Sequence, residues 1–176
     1  MANNEVIGKI LFTHQQIWHR AEELGLEISE DYEGQELVLI GTLKGAIPWM
    51  ADLMKNITLD TKIDFVSASS YGSGTESSGK VLLKKDIGLD IKDKHVLIVE
   101  DIVDTGNTLK VLKEYFEEKG PKSVKICTLL DKPARRTADV KADYIGFVVD
   151  DLFIVGYGLD FDQKYRNLPY ISYLEG

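Results

Sequence analysis

Three carboxylates stand close together in the segment VLIVEDIVDTGNTL, residues 96–109. Glu100 and Asp101 directly follow four apolar residues that are typical of a buried strand, and Asp104 comes three residues later. Two adjacent like charges at the end of a buried strand are unfavourable unless a cation or a ligand rich in hydroxyl groups binds them. The segment therefore indicates a ligand site at the end of a strand.

The turn after these acids has the composition of a phosphate-binding loop. Short polar residues follow Asp104, namely Thr105, Gly106, Asn107 and Thr108. They place free backbone N–H groups at the start of the next helix, where an anion is favoured. A phosphate on the turn and hydroxyl groups on the acids together describe a phosphorylated sugar, with Mg²⁺ offsetting the surplus negative charge. An ordinary helix cap by Thr105 or Asn107 is the alternative for the turn, although it leaves the acidic pair unexplained.

The elements around this segment predict a parallel sheet. Strand 95–100, helix 107–119 and strand 123–130 form one βαβ unit, which requires parallel strands and a right-handed crossover. Helices are also expected over 14–31 and 47–55, and strands over 37–40, 63–69, 81–87, 144–149 and 153–157. This alternation predicts an α/β fold, a mostly parallel doubly wound sheet flanked by helices, in which ligands bind beyond the carboxyl ends of the strands.

The composition limits the functional classes. The 176 residues suffice for one domain, and the net charge of −8 repels polyanions, so we expect no binding to nucleic acid. The single cysteine, Cys127, rules out an intramolecular disulfide and is typical of a reducing compartment. Neither a signal peptide nor a membrane-spanning stretch is recognisable. We therefore expect a soluble, cytoplasmic protein without a membrane partner.

Five ordered segments carry a resemblance to a known family. They are LIGTLKGA at 39–46, SSYGSGTESSG at 69–79, the acidic segment at 96–109, LLDKPARR at 129–136 and FIVGYGLDFDQKYRNLPY at 153–170. They resemble the type I phosphoribosyltransferases, and within them the hypoxanthine-guanine branch. The resemblance implies the fold of that family as a single domain over residues 1–176. It also implies a small hood subdomain from the N- and C-terminal segments and a mobile lid at about 70–80.

The resemblance further implies a reaction, the Mg²⁺-dependent transfer of ribose 5-phosphate from phosphoribosyl diphosphate to N9 of hypoxanthine or guanine. The products would be IMP or GMP and pyrophosphate, as in purine salvage. The transition state resembles an oxocarbenium ion, which the negative charges of Glu100 and Asp101 would stabilise. Asp104 is the implied catalytic residue, a proton acceptor near N7 of the base. Asp160 would join the acidic pair as a metal ligand at a second Mg²⁺ site, and a homodimer or homotetramer is expected.

The remaining site residues follow from the same resemblance. Those expected to bind phosphoribosyl diphosphate are Lys44, Gly45, Ser70, Tyr71, Glu100, Asp101, Asp104, Thr105, Gly106, Asn107, Thr108 and Arg166. The purine would receive a hydrogen bond from Lys132 at its exocyclic oxygen, stack on Phe153 and contact the backbone of Ile154. In the family, the peptide between the residues that match Lys44 and Gly45 is often cis.

Some of these residues also have purely structural interpretations. Lys44 could be a solvated loop lysine, and Phe153 could be a core residue. Asp160 and Arg166 could form a surface ion pair across one turn.

Three further charged residues have no role that the sequence decides. They are Glu76, Arg135 and Arg136. Arg136 has the better spacing from Lys132 for a contact to phosphate, whereas Arg135 is expected to be a solvated residue of the turn. Glu76 adds an acid to the segment that is expected to close over pyrophosphate.

Two other functional classes fit part of the sequence. A two-component receiver domain also contains a strand that ends like VLIVED, but it carries that strand near its amino terminus and has no counterpart of Asp104. A regulator that senses phosphoribosyl diphosphate would share the fold, but it would need a basic surface for nucleic acid. The net charge of −8 argues against that surface. Lys132 and Phe153 favour a working base site, so an enzyme is the preferred interpretation.

Overall fold

The computed structural model describes residues 6–70 and 81–175 of the chain. Six strands form its main sheet, namely β2 (Leu37–Thr42), β3 (Lys62–Ser70), β4 (Val81–Lys85), β5 (His95–Val103), β6 (Ser123–Asp131) and β7 (Tyr144–Val148). Their order across the sheet is β4-β3-β2-β5-β6-β7. Neighbouring strands are parallel, except that β4 runs antiparallel to β3 at one edge. This is the mostly parallel sheet that the sequence predicts.

Helices cover both faces of this sheet. They are α1 (His14–Asp31), α2 (Ile47–Asn56) and α3 (Asn107–Glu117). Alternate residues of β5 serve the two faces: Leu97 and Val99 belong to the core cluster under α1 and α2, whereas Val96 and Ile98 belong to the cluster under α3. A strand that is buried on both faces has to be apolar throughout, which explains the run before the acidic pair. The predicted doubly wound α/β architecture is confirmed.

Helix α1 begins where its sequence predicts. Thr13 and Gln16 form a capping box, in which the Gln16 N–H donates to Thr13 Oγ1 at 3.3 Å and the Thr13 N–H donates to Gln16 Oε1 at 2.8 Å. Gly25 has a low helix propensity, but α1 continues past it. A β-carbon at Gly25 would lie 2.6 Å from the carbonyl oxygen of Asn56, so the glycine permits close packing against the end of α2.

Strand β5 runs farther than its sequence predicts. The expected end was residue 100, but the strand continues to Val103 because β6 remains paired with it from Glu100 onward. On the other side, the pairing with β2 stops at Gly41 and Val99. The acidic pair therefore lies inside β5, just beyond the point where β2 stops pairing.

Four other elements are shorter than expected. Helix α3 ends at Glu117, β4 ends at Lys85 and β7 ends at Val148. The strand expected over 153–157 is only β8 (Ile154–Val155). It stops there because the next three residues, 156–158, all have positive φ, which a strand cannot continue through.

A second, smaller sheet joins segments from both ends of the described chain. It contains β1 (Val6–Ile7), β8 and β9 (Ser172–Glu175) in the antiparallel order β1-β9-β8. The Leu174 N–H also donates to the Phe153 carbonyl oxygen at 2.9 Å, so β9 supports the residue just before β8. Among residues 6–70 and 81–175, no helix has the length and apolar character needed to cross a membrane.

Candidate functional site

The acidic pair lies at the carboxyl end of the main sheet and is held by local hydrogen bonds. Thr42, the last residue of β2, donates from its hydroxyl to Glu100 Oε1 at 2.6 Å. The Asp101 N–H donates to the same oxygen at 3.1 Å. The Ile102 N–H donates to Asp101 Oδ1 at 2.7 Å. These bonds orient both carboxyl groups toward the space that β2 leaves open.

Burial raises the pKa of both carboxyl groups. At Glu100, loss of solvation is the largest cause and the charge of Asp101 adds to it, so the pKa of Glu100 lies well above its usual range. Burial also raises the pKa of Asp101, although hydrogen bonds and the charge of Arg166 oppose the change. Paired carboxyl groups with raised pKa values are typical of functional sites, and a bound cation would stabilise their charged forms.

A cavity of about 280 Å³ lies beside the acidic pair. Its walls contain many of the predicted site residues, namely Lys44, Gly45, Glu100, Asp101, Thr108, Asp160 and Arg166. Gly45 approaches Asp101 so closely that a β-carbon on Gly45 would overlap Asp101 Oδ2. The cavity therefore combines carboxylates with two cationic side chains, which suits a ligand that carries both hydroxyl and phosphate groups.

The cis peptide of the Lys44 loop lies one residue earlier than expected. It joins Leu43 and Lys44, so the expectation of a cis bond between Lys44 and Gly45 is wrong. The ammonium of Lys44 is exposed and donates to Gln163 Oε1 at 3.1 Å. Lys44 thus contacts the loop that carries Asp160 and Arg166, whereas a purely solvated lysine would have no such partner.

Asp160 and Arg166 form the ion pair that their sequence spacing allows. Arg166 Nη2 lies 2.8 Å from Asp160 Oδ1, and Nη1 donates to the Gly158 carbonyl oxygen at 2.7 Å. Arg166 Nε is buried and has no hydrogen-bond partner among the residues that the structure describes. Gln163, which no sequence pattern marked, donates from its backbone N–H to Asp160 Oδ2 at 2.8 Å and accepts from Lys44. Its φ of 64° is a loop conformation that the sequence does not reveal.

The turn after Asp104 carries no side-chain cap. Gly106 is the N-cap residue of α3, with a φ of 82° and no side-chain hydrogen bond. Thr105 Oγ1 is 3.5 Å from the Asn107 nitrogen, which is too far for an effective cap, so the alternative of an ordinary cap is wrong. A β-carbon on Gly106 would lie 2.6 Å from Val140 Cγ1, so only glycine fits here. The first N–H groups of α3 therefore remain available to an anion.

Arg136 stabilises this turn through hydrogen bonds to backbone carbonyl oxygens. Its guanidinium donates to the carbonyl oxygens of Val103 at 3.2 Å, Asp104 at 3.1 Å and Val140 at 2.8 Å, and also to the carboxylate of Asp131. Each of its three nitrogens is engaged, and its side chain is only 16% exposed. The suggested phosphate contact by Arg136 is therefore wrong. Its contacts span residues far apart in the chain, which is why spacing alone could not identify them.

Arg136→Lys should lower the free energy of unfolding by about 3 kcal/mol, because one ammonium cannot replace a fork that serves several buried acceptors. Denaturant-induced unfolding measures this loss. Arg135→Lys is the matched control, since the Arg135 side chain is 52% exposed, and it should change stability by less than about 0.5 kcal/mol. Equal losses in the two variants would contradict the structural role of Arg136.

A second cavity, of about 430 Å³, adjoins the first. The predicted residues in its walls are Asp104, Lys132, Phe153 and Ile154. The two cavities meet along β5, where Asp101 faces the first cavity and Ile102 faces the second. The predicted sugar-phosphate and purine residues are therefore brought to neighbouring spaces.

The second cavity offers a buried cation and a free aromatic ring. Lys132 is 7% exposed, and its ammonium donates to the Leu152 carbonyl oxygen at 2.8 Å and lies 3.9 Å from Asp151. Phe153 is 54% exposed and touches Phe161 only at an edge, with the ring centres 5.4 Å apart. The alternative that Phe153 is a core residue is therefore wrong.

Asp104 lines the second cavity. Its Oδ1 is buried and accepts no hydrogen bond from any described residue, although Arg135 Nε lies 3.5 Å away. Arg135 Nη1 also lies 3.9 Å from Asp151. Arg135 is exposed on its turn, as expected, and it also forms part of the cavity wall. Asp151, which the sequence analysis missed, is linked to both cations.

Part of the expected site lies outside the side chains that the structure describes. Ser70 ends β3, and Tyr71 and Glu76 lie outside the described residues, as does most of the expected lid at 70–80. Within residues 6–70 and 81–175, no group of three or more His, Cys, Asp or Glu side chains could hold a metal ion by itself. Glu100, Asp101 and Asp160 therefore do not form one common metal site.

Comparisons with known proteins agree with this geometry. The family model described as the phosphoribosyl transferase domain matches residues 8–162. The hypoxanthine-guanine phosphoribosyltransferase of Streptococcus pneumoniae is 50% identical over 169 residues, which cover 96% of this chain and 94% of that relative. The corresponding Bacillus subtilis protein is 48% identical with the same coverage.

A solved structure also matches this chain. The hypoxanthine-guanine phosphoribosyltransferase of Bacillus anthracis superposes with a TM-score of 0.93 and 50% identity, covering 97% of this chain and all of that chain. A receiver domain is thereby excluded, because the matching proteins have a different fold. The chain belongs to the phosphoribosyltransferase family.

Proposed function

We propose that this protein transfers ribose 5-phosphate from phosphoribosyl diphosphate to N9 of hypoxanthine or guanine, with release of pyrophosphate. One observation carries the proposal: two cavities adjoin at a half-buried acidic pair, one with cationic side chains and the other with a buried lysine and an exposed ring. This arrangement suits two substrates that react at a sugar carbon between them. The relatives at about 50% identity support the same reaction, which belongs to purine salvage.

The first cavity binds phosphoribosyl diphosphate in this proposal. Lys44 and Arg166 bind the pyrophosphate part, and the N–H groups of residues 105–108 bind the 5-phosphate. The unpaired Nε of Arg166 supports this, because a buried donor without a partner is costly until a ligand accepts from it. Glu100 and Asp101 accept hydrogen bonds from the ribose hydroxyls.

The second cavity binds the purine. Lys132 donates one N–H to the Leu152 carbonyl oxygen and can donate another to the oxygen at C6 of the purine. This second bond favours 6-oxopurines over adenine. Phe153 stacks on the ring, and the backbone of Ile154 contacts the edge of the base. Asp104, whose Oδ1 accepts no hydrogen bond from the described chain, takes the proton from N7.

The acidic pair acts on the reacting sugar. As the bond to pyrophosphate breaks, positive charge develops on the ribose ring, and carboxylates fixed nearby stabilise it. Thr42 and the backbone hold Glu100 and Asp101 before substrate binds, so little reorganisation is needed during the reaction. We assign the rate enhancement mainly to this electrostatic effect and to the proton transfer at Asp104.

We also propose Mg²⁺ as the cofactor. Carboxylate oxygens are the ligands that Mg²⁺ prefers, and burial that raises the pKa of Glu100 and Asp101 is offset when a cation binds them. Asp160 would serve a second ion. No set of three such side chains gathers in the described chain, which fits an ion that takes most of its ligands from substrate phosphates and water. When bound, the ion neutralises charge on the pyrophosphate leaving group.

The organisation of the protein is part of the proposal. We treat residues 1–176 as one domain, with the three-stranded sheet as its hood and the segment at about 70–80 as its lid. We expect a homodimer or homotetramer in the cytoplasm, without nucleic-acid or membrane partners. The net charge of −8 supports the expected lack of a nucleic-acid partner.

An ultraviolet assay of nucleotide formation tests the function directly. Purified protein is supplied with Mg²⁺, phosphoribosyl diphosphate and one base at a time: hypoxanthine, guanine, xanthine or adenine. We expect turnover with hypoxanthine and guanine and none with adenine, because Lys132 donates to an oxygen that adenine lacks. No turnover with any base, together with tight binding of phosphoribosyl diphosphate, would instead indicate a sensor.

A further inference from the structure

Tyr157 is a buried residue in a turn that contacts the first cavity. Tyr157 has a φ of 50°, and its neighbours Gly156 and Gly158 have φ values of 95° and 101°. A residue with a side chain rarely adopts such a conformation, so the surroundings must hold Tyr157 in place. The side chain is 5% exposed and extends toward α1 and α2 rather than toward the ligand cavities.

The hydroxyl of Tyr157 enters a small polar cluster. It donates a hydrogen bond to Asp52 Oδ2 on α2 and lies 3.3 Å from His14 Nδ1 at the start of α1. Lys55 Nζ donates to the other oxygen of Asp52 at 3.0 Å. Asp52 is 7% exposed, so removal of the hydroxyl would leave a buried carboxylate with one acceptor unpaired. Burial and the Asp52 carboxylate raise the pKa of Tyr157, which keeps the hydroxyl protonated and able to donate.

The backbone around Tyr157 contacts both cationic loops of the first cavity. The Gly158 N–H donates to the Arg166 carbonyl oxygen at 3.0 Å, and the Gly158 carbonyl accepts from Arg166 Nη1 at 2.7 Å. A β-carbon on Gly158 would overlap the Gly45 carbonyl oxygen, so this turn lies directly on the loop that carries Lys44. A shift of the turn would therefore move both loops.

Helix α2 completes the connection. It begins at Ile47, directly after the Lys44 loop, and Asp52 lies five residues further along the same rigid helix. The loop with Lys44 is thus attached to one end of α2, and the turn with Tyr157 is attached to its middle. The hydrogen bond between Tyr157 and Asp52 determines how the turn sits against the loop.

We propose that Tyr157 is a positioning residue for the diphosphate. Its hydrogen bond to Asp52 holds the 156–158 turn between Gly45 and Arg166 and thereby sets the spacing of the two cationic groups that bind pyrophosphate. This inference rests on the proposed function, because it assigns the first cavity to phosphoribosyl diphosphate. Loss of the bond should loosen the diphosphate end and leave the purine cavity unaffected.

Tyr157→Phe tests this by separating the two substrates. We expect the KM for phosphoribosyl diphosphate to rise about tenfold, since small displacements of binding groups have large effects on an oriented ligand. The KM for hypoxanthine should stay within about twofold, because Lys132 and Phe153 are not held by this cluster. Tyr144→Phe is the matched control: it also removes a buried hydroxyl, which donates to Asp31 at 2.5 Å at the opposite end of the sheet. It should change neither KM.

Substitutions of Asp52 give an independent check. Asp52→Asn keeps an oxygen that accepts from Tyr157, so its KM for phosphoribosyl diphosphate should stay within about threefold of the wild-type value. Asp52→Leu removes the acceptor and should reproduce the effect of Tyr157→Phe. Equal behaviour of the two Asp52 variants would overturn the inference.

The outcomes distinguish this inference from the proposed function. If the wild-type protein is active and Tyr157→Phe leaves the KM for phosphoribosyl diphosphate unchanged, or raises both KM values alike, the positioning role is wrong. If the wild-type protein converts no base, the proposed reaction is wrong. Calorimetric binding of phosphoribosyl diphosphate then tests the positioning role of Tyr157 independently of turnover. A Kd about tenfold weaker in Tyr157→Phe than in Tyr144→Phe would support the positioning role. Equal Kd values would exclude it.

Discussion

Asp104→Asn should lower kcat by about 10²–10⁴-fold while the KM for phosphoribosyl diphosphate changes little. Asparagine keeps the shape of the side chain but cannot take a proton from N7 of the base. The turn itself should persist, because Arg136 holds Asp104 through its backbone carbonyl and not through its carboxylate. Substrate binding is therefore preserved while the proton transfer is lost.

Steady-state kinetics with hypoxanthine measures both constants. Asp150→Asn is a suitable control, since it removes the charge of an exposed carboxylate near the second cavity, and its kcat should stay within about twofold of the wild-type value. If Asp104→Asn turned over as fast as the wild-type protein, Asp104 would not be the proton acceptor. A large rise in the KM for phosphoribosyl diphosphate would instead assign Asp104 to binding.

Gly45→Ala should reduce kcat/KM by at least about 10³-fold. The new methyl group would occupy the place of Asp101 Oδ2, so either the Lys44 loop or the acidic pair must move. Both belong to the first cavity, and Gly45 also contacts the turn at Gly158. The cost in stability should be about 1–3 kcal/mol, as for other overpacked sites.

The comparison with a second glycine makes this test specific. At Gly88 the nearest atom to an added β-carbon is Asp64 Oδ2 at 3.8 Å, which is an ordinary contact. Gly88→Ala should therefore retain full activity in the same kinetic assay. Activity of Gly45→Ala near the wild-type level would mean that the loop can move without consequence for the diphosphate.

The parts of the fold that the sequence predicted are those that depend on local signals. Thr13 and Gln16 are such a signal at the start of α1, and Pro48 in the first turn of α2 is another. The end of β5 could not be predicted in this way, because it depends on how far β6 continues to pair with it. Likewise, β8 ends where three successive residues adopt positive φ, a conformation imposed by packing against Gly45 and Tyr170.

In the candidate site, too, local motifs predicted some residues, whereas residues that act through distant contacts were missed. The motif segments pointed to Lys44, Asp101 and Lys132, and the structure brings all three to adjoining cavities. Gln163 and Arg136 were missed or misassigned because their roles come from contacts with residues distant in the chain. Such contacts leave no regular spacing in the sequence, so a motif can identify ligand groups without identifying what supports them.

The three-stranded sheet has a consequence for the order of events during folding. Residues 172–175 lie between two partners, and one of these, Val6–Ile7, is separated from them by most of the chain. Contacts at such separation form late because closing a long loop costs entropy. The main sheet can assemble from residues that leave the ribosome before residue 172 has been synthesised, but Phe153 then lacks the hydrogen bond from Leu174. A nascent chain should therefore acquire its main sheet first and the support for its purine-stacking surface only afterwards.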